Sequence, residues 1–203
     1  MEFENLSVLL LHYYPEYLKQ CCDLINEEWP RSETARMMSL QASCDALPTS
    51  FIIVDDKKLV IGHCKLTPIP SIPESCFVET VVIKKNLRGK RLGSYLMRYI
   101  EDYCKNVLHL KMIHLSTKGQ EDFYAKLGYT VCKPVSIYGT YVPNNFIPES
   151  HSHKTDNSVP QENTPSTGAP PPPPPPMPKT GLNSNINSNI KSNKTFMYKD
   201  LIW

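Results

Sequence analysis

Seven consecutive prolines, Pro170 to Pro176, place the strongest limit on how this chain can fold. Proline has a fixed φ and no backbone N–H, so such a run is excluded from helix interiors and central strands and forms an extended polyproline II rod. The surrounding segment, residues 148–194, is rich in Pro, Ser and Asn and has few aromatic or branched apolar residues. Such a segment cannot bury enough apolar surface to offset its ordering entropy, so we expect it to be disordered.

Apolar side chains return after this segment, in "KTFMYKDLIW". This return predicts a final strand that rejoins the domain, which makes the proline-rich segment an insertion. The predicted organisation is a mixed α/β domain over residues 1–147, a disordered loop over 148–194 with its polyproline run at 170–178, and the returning strand at 195–203.

Apolar periodicity within residues 1–147 alternates between the two-residue period of strands and the spacing of helices. The predicted strands are 6–11, 51–54, 59–66, 77–83, 112–115 and 129–137. The predicted helices are 14–25, 33–40, 92–103 and 120–127. Pro15 stands at a helix start and Gly128 at a helix end, where these residues are favoured. The fold class is therefore α/β, with a mixed central sheet flanked by helices.

Charge and cysteine usage exclude several classes of function. The formal charge is only +2, from 22 Lys and Arg against 20 Asp and Glu, so a general nucleic-acid binder is not expected. The seven cysteines form no C-x-x-C pair, so we expect no metal site. The start of the chain lacks the pattern of a signal peptide, and no apolar stretch is long enough to span a membrane. These features predict a protein of a reducing, cytoplasmic compartment without a membrane partner.

The stretch "VVIKKNLRGKRLGSYLM", Val81 to Met97, carries five basic residues between a strand and a helix. Its glycines, Gly89 and Gly93, allow close approach of the backbone to a ligand, and a helix N-terminus attracts phosphate. The spacing fits neither a P-loop nor a dinucleotide-binding fingerprint. From these residues alone, an ordinary basic turn and a phosphate-binding loop both remain open.

Three motifs in order resemble the GNAT superfamily of N-acetyltransferases. "LRGKRLG" resembles the coenzyme A pyrophosphate loop of that family, Gln/Arg-x-x-Gly-x-Gly/Ala, although Arg91 stands where the middle glycine is usual. "FYAKLGY" resembles the helix and strand beyond the cofactor site, and "FMYKDL" resembles the last strand. The resemblance implies the GNAT fold and acetyl-coenzyme A as co-substrate.

The resemblance also implies a set of cofactor-binding residues on the strand, the loop and the helix start. This set is Val81, Val82, Ile83, Arg88, Gly89, Lys90, Arg91, Leu92, Gly93 and Ser94, with Gln120 reaching the pantetheine arm. In the family pattern a backbone N–H near Val81 polarises the thioester carbonyl, and the amine attacks directly without an acyl-enzyme.

Three residues are candidates for proton transfer. Tyr124 matches the family tyrosine that protonates the departing thiolate; the alternative for it is a half-buried structural aromatic. Glu79, on the strand edge, is a candidate base acting through water, and His63 is the other candidate. A lone histidine in a strand is more often a satisfied structural residue.

Within the family, "INEEWPRSETARMMSLQASCD" is similar to the corresponding helices of the actin N-terminal acetyltransferases, which acetylate an acidic N-terminus. This resemblance implies actin as substrate. The implied groove residues are Trp29, Arg31, Arg36, Met37, Met38 and Ser39. Arginine suits carboxylates because its planar fork binds both oxygens. Solvent-facing arginines and a core-anchoring Trp29 are the alternatives.

The polyproline run resembles a profilin ligand, and profilin also carries actin, so the resemblance implies a tether between enzyme and substrate. A simple spacer is the alternative. Two rival functions also remain: an acetyltransferase acting on lysine or a small amine, and a polyproline adaptor with a degenerate acetyltransferase domain.

Overall fold

A mixed sheet of seven strands organises the computed structural model, which describes residues 3, 5–138 and 194–201. The strands are β1 (Ser7–Leu10), β2 (Thr49–Val54), β3 (Val60–Pro68), β4 (Ser75–Ile83), β5 (Met112–Thr117), β6 (Thr130–Val131) and β7 (Thr195–Asp200). Their order across the sheet is β1-β2-β3-β4-β5-β7-β6. Only β4 and β5 are parallel; every other neighbouring pair is antiparallel.

Among the described residues, four α-helices cover the two faces of this sheet. They are α1 (Leu18–Glu28), α2 (Glu33–Gln41), α3 (Leu92–Asn106) and α4 (Glu121–Lys126). The first two pack in one apolar cluster, against alternate residues of β2 such as Ile52 and Val54. The other two pack against the opposite set, which includes Phe51 and Ile53. No helix in the described part of the chain is long and apolar enough to cross a membrane.

Local sequence signals fix where these helices begin and end. Ser32 caps α2, because its hydroxyl accepts a hydrogen bond from the Ala35 N–H. Pro15 begins a short 3-10 helix that leads into α1. Gly128 follows α4 with a φ of +91°, a conformation that glycine adopts without steric cost. Capping residues therefore mark the start of α2 and the end of α4.

The sheet opens between β4 and β5, and this opening creates space for a ligand. A β-bulge interrupts the pairing of β3 and β4, since Lys65 pairs with Thr80 while Leu66 pairs with Val78. The bulge leaves Glu79 without a direct partner on β3. The pairing of β4 with β5 ends at Val78 and Leu115, although β4 continues to Ile83. The second half of β4 therefore has a free edge toward β5.

The predicted α/β architecture with a mixed, helix-flanked sheet is confirmed, and one predicted strand is wrong. Residues 129–137 form only the two-residue strand β6, with one further backbone hydrogen bond from Cys132 to the Phe196 carbonyl. Pro134 has no N–H to continue the ladder, which explains the early end. The insertion and its polyproline run, which we predicted to be disordered, lie outside the described residues. The predicted domain boundaries stay a prediction.

The returning strand β7 is tied to helix α3 by a largely buried ion pair. β7 pairs with β5 from Thr195 to Asp200. Its Lys199 ammonium lies 2.5 Å from the Glu101 carboxylate, with side chains only 26% and 10% exposed. A buried charge is costly unless it is paired, so each partner depends on the other.

Replacing Lys199 with Met should lower the free energy of unfolding by about 3 kcal/mol, because Glu101 would then be a buried charge without its counter-ion. Urea denaturation measures this loss. The double variant Lys199→Met with Glu101→Gln should recover much of it. Lys19→Met, which breaks exposed ion pairs with Asp23 and Glu33, is the matched control and should cost at most about 1 kcal/mol. Equal losses at both lysines would contradict a buried-pair role.

Candidate active site

A cavity of about 490 Å³ lies at the end of β4, beside the start of α3. It brings together all the predicted cofactor residues except Lys90, which is exposed and outside it. The lining also includes two other predicted site residues, Tyr124 and Trp29. The free edge of β4, the loop after it and the first turn of α3 thus surround one space.

The N-terminus of α3 presents uncapped backbone donors to this cavity. In the described structure no side chain caps the helix, and its first turn contains no acidic residue. Gly89 has a φ of +79°, and a Cβ there would meet nothing within 4 Å. A Cβ on Gly93 would lie 3.3 Å from the Phe123 ring, so the helix start and α4 are closely packed. Free N–H groups together with the helix dipole favour a phosphate at this position.

Arg91 gives the loop a left-handed backbone conformation that is unusual for a residue other than glycine. It is the residue before α3 and has a φ of 59° and a ψ of 8°, in the left-handed region. That region costs a non-glycine residue about 1–2 kcal/mol. The middle glycine of the GNAT loop pattern would adopt it freely, so the arginine departs from the pattern at a position where glycine is sterically favoured.

Arg88 links the loop to two neighbouring elements. Its Nε donates a 3.0 Å hydrogen bond to the Ile83 carbonyl, and its Nη2 donates a 2.8 Å bond to the Glu28 carboxylate. The bond from Arg88 lowers the pKa of Glu28 below its usual value. Lys85 donates a further bond to the Glu27 carbonyl. The guanidinium thus holds the loop against the end of α1.

The backbone of Val81 faces the open side of β4. Lys84 donates its N–H to Ile61 on β3. Because successive residues of an antiparallel strand point their N–H groups to opposite sides, Val82 also faces β3, while Val81 and Ile83 face away from it. β5 does not pair with this half of β4. The Val81 N–H is therefore directed toward the cavity as a potential donor.

Tyr124 lies on α4 and is half-buried in the cavity wall. Its ring packs edge-on against Phe123, at 4.9 Å, and Tyr129, at 5.8 Å. Burial raises the pKa of the Tyr124 phenol above its ordinary value, with a smaller contribution from Cys64. The phenol therefore holds its proton at neutral pH.

A second polar cluster lies on the face of the sheet that α1 and α2 cover. Lys65, on β3, donates a 2.7 Å hydrogen bond from its ammonium to the Ser39 hydroxyl of α2. The same ammonium lies 3.2 Å from the Glu79 carboxylate at the bulge. Glu79 precedes Val81 by two residues, about 7 Å along a strand. We call Lys65, Ser39 and Glu79 the acceptor-side cluster.

His63 is buried two residues before Lys65, and its side chain is 1% exposed. Neither ring nitrogen has a hydrogen-bond partner among the described residues. Burial lowers the pKa of His63 to about 3, with smaller contributions from Lys65 and Arg36. An imidazole that is buried and weakly basic is a poor candidate base, whereas the Glu79 side chain is 35% exposed and can be reached by water, so Glu79 is the better candidate.

Arg36 is used to build the turn between α1 and α2. Its Nε donates to the Asn26 side chain at 3.1 Å, and its Nη2 donates to the Trp29 carbonyl at 2.8 Å. Of the other predicted groove residues, Arg31 and Met38 are exposed, while Met37 packs against the apolar cluster under α1. Trp29 is 47% exposed, so it borders the cavity and is not a core anchor.

The sequence analysis did not identify four residues of the site. They are Glu28, Leu87 and Phe123 in the cavity wall, and Lys65 in the acceptor-side cluster. Phe123 stands in the quoted "FYAKLGY" motif, next to Tyr124. Lys65 carried a usable signal, because a lysine inside the apolar strand "VIGHCKL" needs a buried partner. Glu28 carried none, because its role depends on how α1 meets the loop.

The described residues offer no group of His, Cys, Asp or Glu suited to a metal ion. All seven cysteines are free thiols. Cys64 pairs across the sheet with Val81, and burial raises its thiol pKa well above the ordinary value. A protonated, buried thiol is a poor nucleophile.

Ser43, His12 and Asp45 are connected in the order of a catalytic triad, through bonds of 3.0 and 2.9 Å to the imidazole. The Ser43 hydroxyl, however, accepts the Ser50 N–H at 2.9 Å and does not line the cavity. This cluster therefore braces the chain ahead of β2.

Comparison with known proteins agrees with this geometry. Residues 18–129 match the model of the acetyltransferase (GNAT) family. The chain is 38% identical over 127 residues to N-alpha-acetyltransferase 80 of Mus musculus, a match that covers 60% of this chain and 40% of that protein.

Two solved structures share the fold at low sequence identity. A GNAT-family acetyltransferase from Staphylococcus aureus Mu50 has 13% identity and a TM-score of 0.57, covering 97% of this chain and 99% of that one. A spermidine N-acetyltransferase SpeG mutant from Vibrio cholerae has 19% identity and a TM-score of 0.54, covering 64% and 83%.

Replacing Arg91 with Gly should change the free energy of unfolding by less than about 1 kcal/mol, because relief of the left-handed strain offsets the greater freedom of glycine when unfolded. The dissociation constant for coenzyme A, measured by calorimetry, should change by no more than a few-fold. Gly89→Ala is the matched control and should destabilise by about 1 kcal/mol. A complete loss of binding in Arg91→Gly would instead make Arg91 a primary ligand.

Acid should destabilise the protein through His63. Its folded pKa lies below the unfolded value of 6.5, so the unfolded state binds the proton more tightly. The contribution of the neutral His63 to the free energy of unfolding is fully present above pH 6.5 and is lost as the pH falls toward 3. Between about pH 7.5 and about pH 5, the loss from this group should be about 2 kcal/mol by urea denaturation. His63→Leu should remove that loss; an unchanged pH dependence would show that His63 is not its source.

Proposed function

Because the chain belongs to the acetyltransferase (GNAT) family, we propose that it transfers an acetyl group from acetyl-coenzyme A to the α-amine of a protein N-terminus. The observation that carries this proposal is the cavity in which the uncapped start of α3 meets the free edge of β4. The match to an N-alpha-acetyltransferase directs the proposal to N-terminal amines. The preferred substrate is an acidic N-terminus, that of processed actin.

The residues around the cavity fit coenzyme A. Its pyrophosphate needs several donors at one point, and the backbone from Gly89 to Ser94 supplies them at a helix N-terminus. The basic side chains of the loop add charge of the required sign. The pantetheine arm would pass between β4 and α4, where Gln120 and Tyr124 stand.

When bound, acetyl-coenzyme A supplies an acetyl group activated as a thioester. The Val81 N–H donates to the carbonyl oxygen and stabilises the negative charge that develops there. Glu79 accepts the proton that the α-amine loses, through water. Tyr124 gives its proton to the departing thiolate. The amine attacks directly, since the thiol of Cys64, which pairs across the sheet with Val81, is buried and protonated.

A free α-amine has a pKa of roughly 7.7 to 8.0, so part of it is already unprotonated near neutral pH. The base therefore needs only modest strength, which suits a carboxylate that acts through water. A lysine side chain, with a pKa near 10.4, would require a stronger base at this site. This difference favours N-terminal amines over lysines as acceptors.

The acidic substrate is proposed from the cations that border the acceptor side. Arg31 and Arg36 lie on the turn and helix that follow α1, with Met37, Met38 and Ser39. Arg36 uses two of its donor groups in hydrogen bonds within the turn. It therefore attracts a carboxylate through its charge and cannot offer its full planar fork to both carboxylate oxygens. Arg31, which is exposed, has the freedom to meet a carboxylate.

Profilin is the proposed partner of the polyproline run, Pro170 to Pro176 with Pro178. A polyproline II rod suits an aromatic-lined groove, and profilin bound to actin would bring the substrate to the enzyme. Calorimetry of a peptide covering Gly168 to Lys179 with profilin tests this partner. No heat at high peptide concentration would leave the run as a spacer.

The free thiols lead us to propose a reducing, cytoplasmic setting.

Mass spectrometry of a peptide panel incubated with the protein and acetyl-coenzyme A tests the proposed function. Asp- and Glu-leading peptides should gain an acetyl group at the α-amine. Peptides with a blocked N-terminus and internal lysines, and polyamines, should remain unmodified. Acetylation of lysine or polyamine instead would replace this function with a small-amine or lysine activity. Failure to bind acetyl-coenzyme A would favour an adaptor role.

Replacing Tyr124 with Phe should lower kcat by roughly 100-fold, because the thiolate would lose its proton donor. The dissociation constant for coenzyme A should stay within a few-fold, since the ring still packs against Phe123. Steady-state kinetics and calorimetry measure the two effects. Tyr99→Phe, on an exposed tyrosine of α3, is the matched control and should leave kcat unchanged. An unaltered kcat for Tyr124→Phe at every pH would rule out a general-acid role.

A further inference from the structure

Lys65 is a charged residue inside a buried strand. The residues of β3 from Val60 to Thr67 are all buried, and the Lys65 side chain is only 11% exposed. An ammonium group loses much hydration energy in such a place unless it is paired and hydrogen-bonded. A lysine at this position therefore calls for an explanation beyond packing.

The ammonium of Lys65 has three hydrogens, and two protein groups use two of them. The Ser39 hydroxyl accepts one at 2.7 Å, and the Glu79 carboxylate lies at 3.2 Å. The side chain of Glu79 is itself 35% exposed, so the ion pair is reachable from solvent on the Glu79 side. The cluster thus presents a fixed cation and a fixed anion side by side.

Positive charge outweighs negative charge around this pair. Arg36 of α2 and Lys65 both contribute to the lowered pKa of His63, so both cations lie near that imidazole. Burial keeps the His63 imidazole neutral, so it adds no charge of its own. Glu79 is the one carboxylate that the described residues place against Lys65. A second carboxylate near Lys65 would be favoured electrostatically.

We propose that Lys65 is a specificity-determining residue for an acidic first residue of the acceptor peptide, with Glu79 as its counterpart for the α-ammonium. An N-terminal Asp or Glu carries an α-ammonium and a side-chain carboxylate a few bonds apart. The Lys65–Glu79 pair presents the opposite charges, a carboxylate for the ammonium and an ammonium for the carboxylate. The peptide ammonium binds Glu79, the peptide side-chain carboxylate binds Lys65, and Ser39 keeps the lysine in place. The proposal rests on the proposed N-terminal acetyltransferase function.

This exchange explains how the site discriminates against neutral residues. When a peptide ammonium takes Glu79, Lys65 loses its counter-ion. An acidic side chain replaces that counter-ion, whereas an Asn or Gln side chain leaves a buried ammonium with only a neutral partner. A charge-assisted hydrogen bond is stronger than a neutral one, so the acidic peptide is preferred.

The test compares two peptides that differ only in their first residue, Asp or Asn, with a Glu and Gln pair as a repeat. The measured quantity is the ratio of kcat/KM for the acidic peptide to that for its amide. Lys65→Met and Lys65→Gln should each lower this ratio by roughly tenfold or more. Lys65→Arg should keep most of it. Lys57→Met, on the exposed turn between β2 and β3, is the matched control and should leave the ratio unchanged.

Calorimetry with coenzyme A shows which variants are folded, and the ratio is taken from those. A ratio that survives in folded Lys65→Met or Lys65→Gln, while the wild type acetylates both peptides, would overturn the Lys65 assignment and leave the proposed function standing. A wild type that acetylates neither peptide would overturn the proposed function, and this assignment with it.

Discussion

The parting of β4 from β5 is the constraint on which the rest of the site depends. Two parallel strands that paired along their whole length would bury the edge of β4 in hydrogen bonds. Here the pairing stops at Val78, next to the bulge at Glu79, and the free part of β4 borders the cavity. The end of the β4–β5 pairing leaves the Val81 backbone donor free, and the adjacent β3–β4 bulge places the Glu79 carboxylate beside Lys65.

A chain of hydrogen bonds holds the two halves of the site in register. On the cofactor side, Arg88 joins the loop before α3 to Glu28 at the end of α1. The next residue, Trp29, accepts a bond from Arg36 on α2. The end of α1 is thus braced from both sides, so the loop for the pyrophosphate and the helix beside the acceptor share one support. Arg88 and Arg36 therefore hold the end of α1 in place through hydrogen bonds, in addition to the positive charge they bring to the site.

Sequence patterns predicted the elements but not the contacts between them. The apolar periods located all four helices and most strands, and the loop with Gly89 and Gly93 was recognisable from its glycines. The strand over residues 129–137 was overextended, because the apolar alternation outweighed the missing N–H of Pro134. The pairing of Lys65 with Glu79 depends on a bulge that shifts the register of two strands. Glu28 depends on where a helix ends in space, which no local pattern specifies.

The central claim is that the start of α3 and the free edge of β4 together bind acetyl-coenzyme A. Titration of the isotope-labelled protein with coenzyme A, followed by amide nuclear magnetic resonance, tests it most directly. The account predicts that the largest shifts fall on the amides of Val81 and of Gly89 to Ser94. Binding that leaves these amides unmoved, with the shifts concentrated elsewhere in the domain, would contradict it.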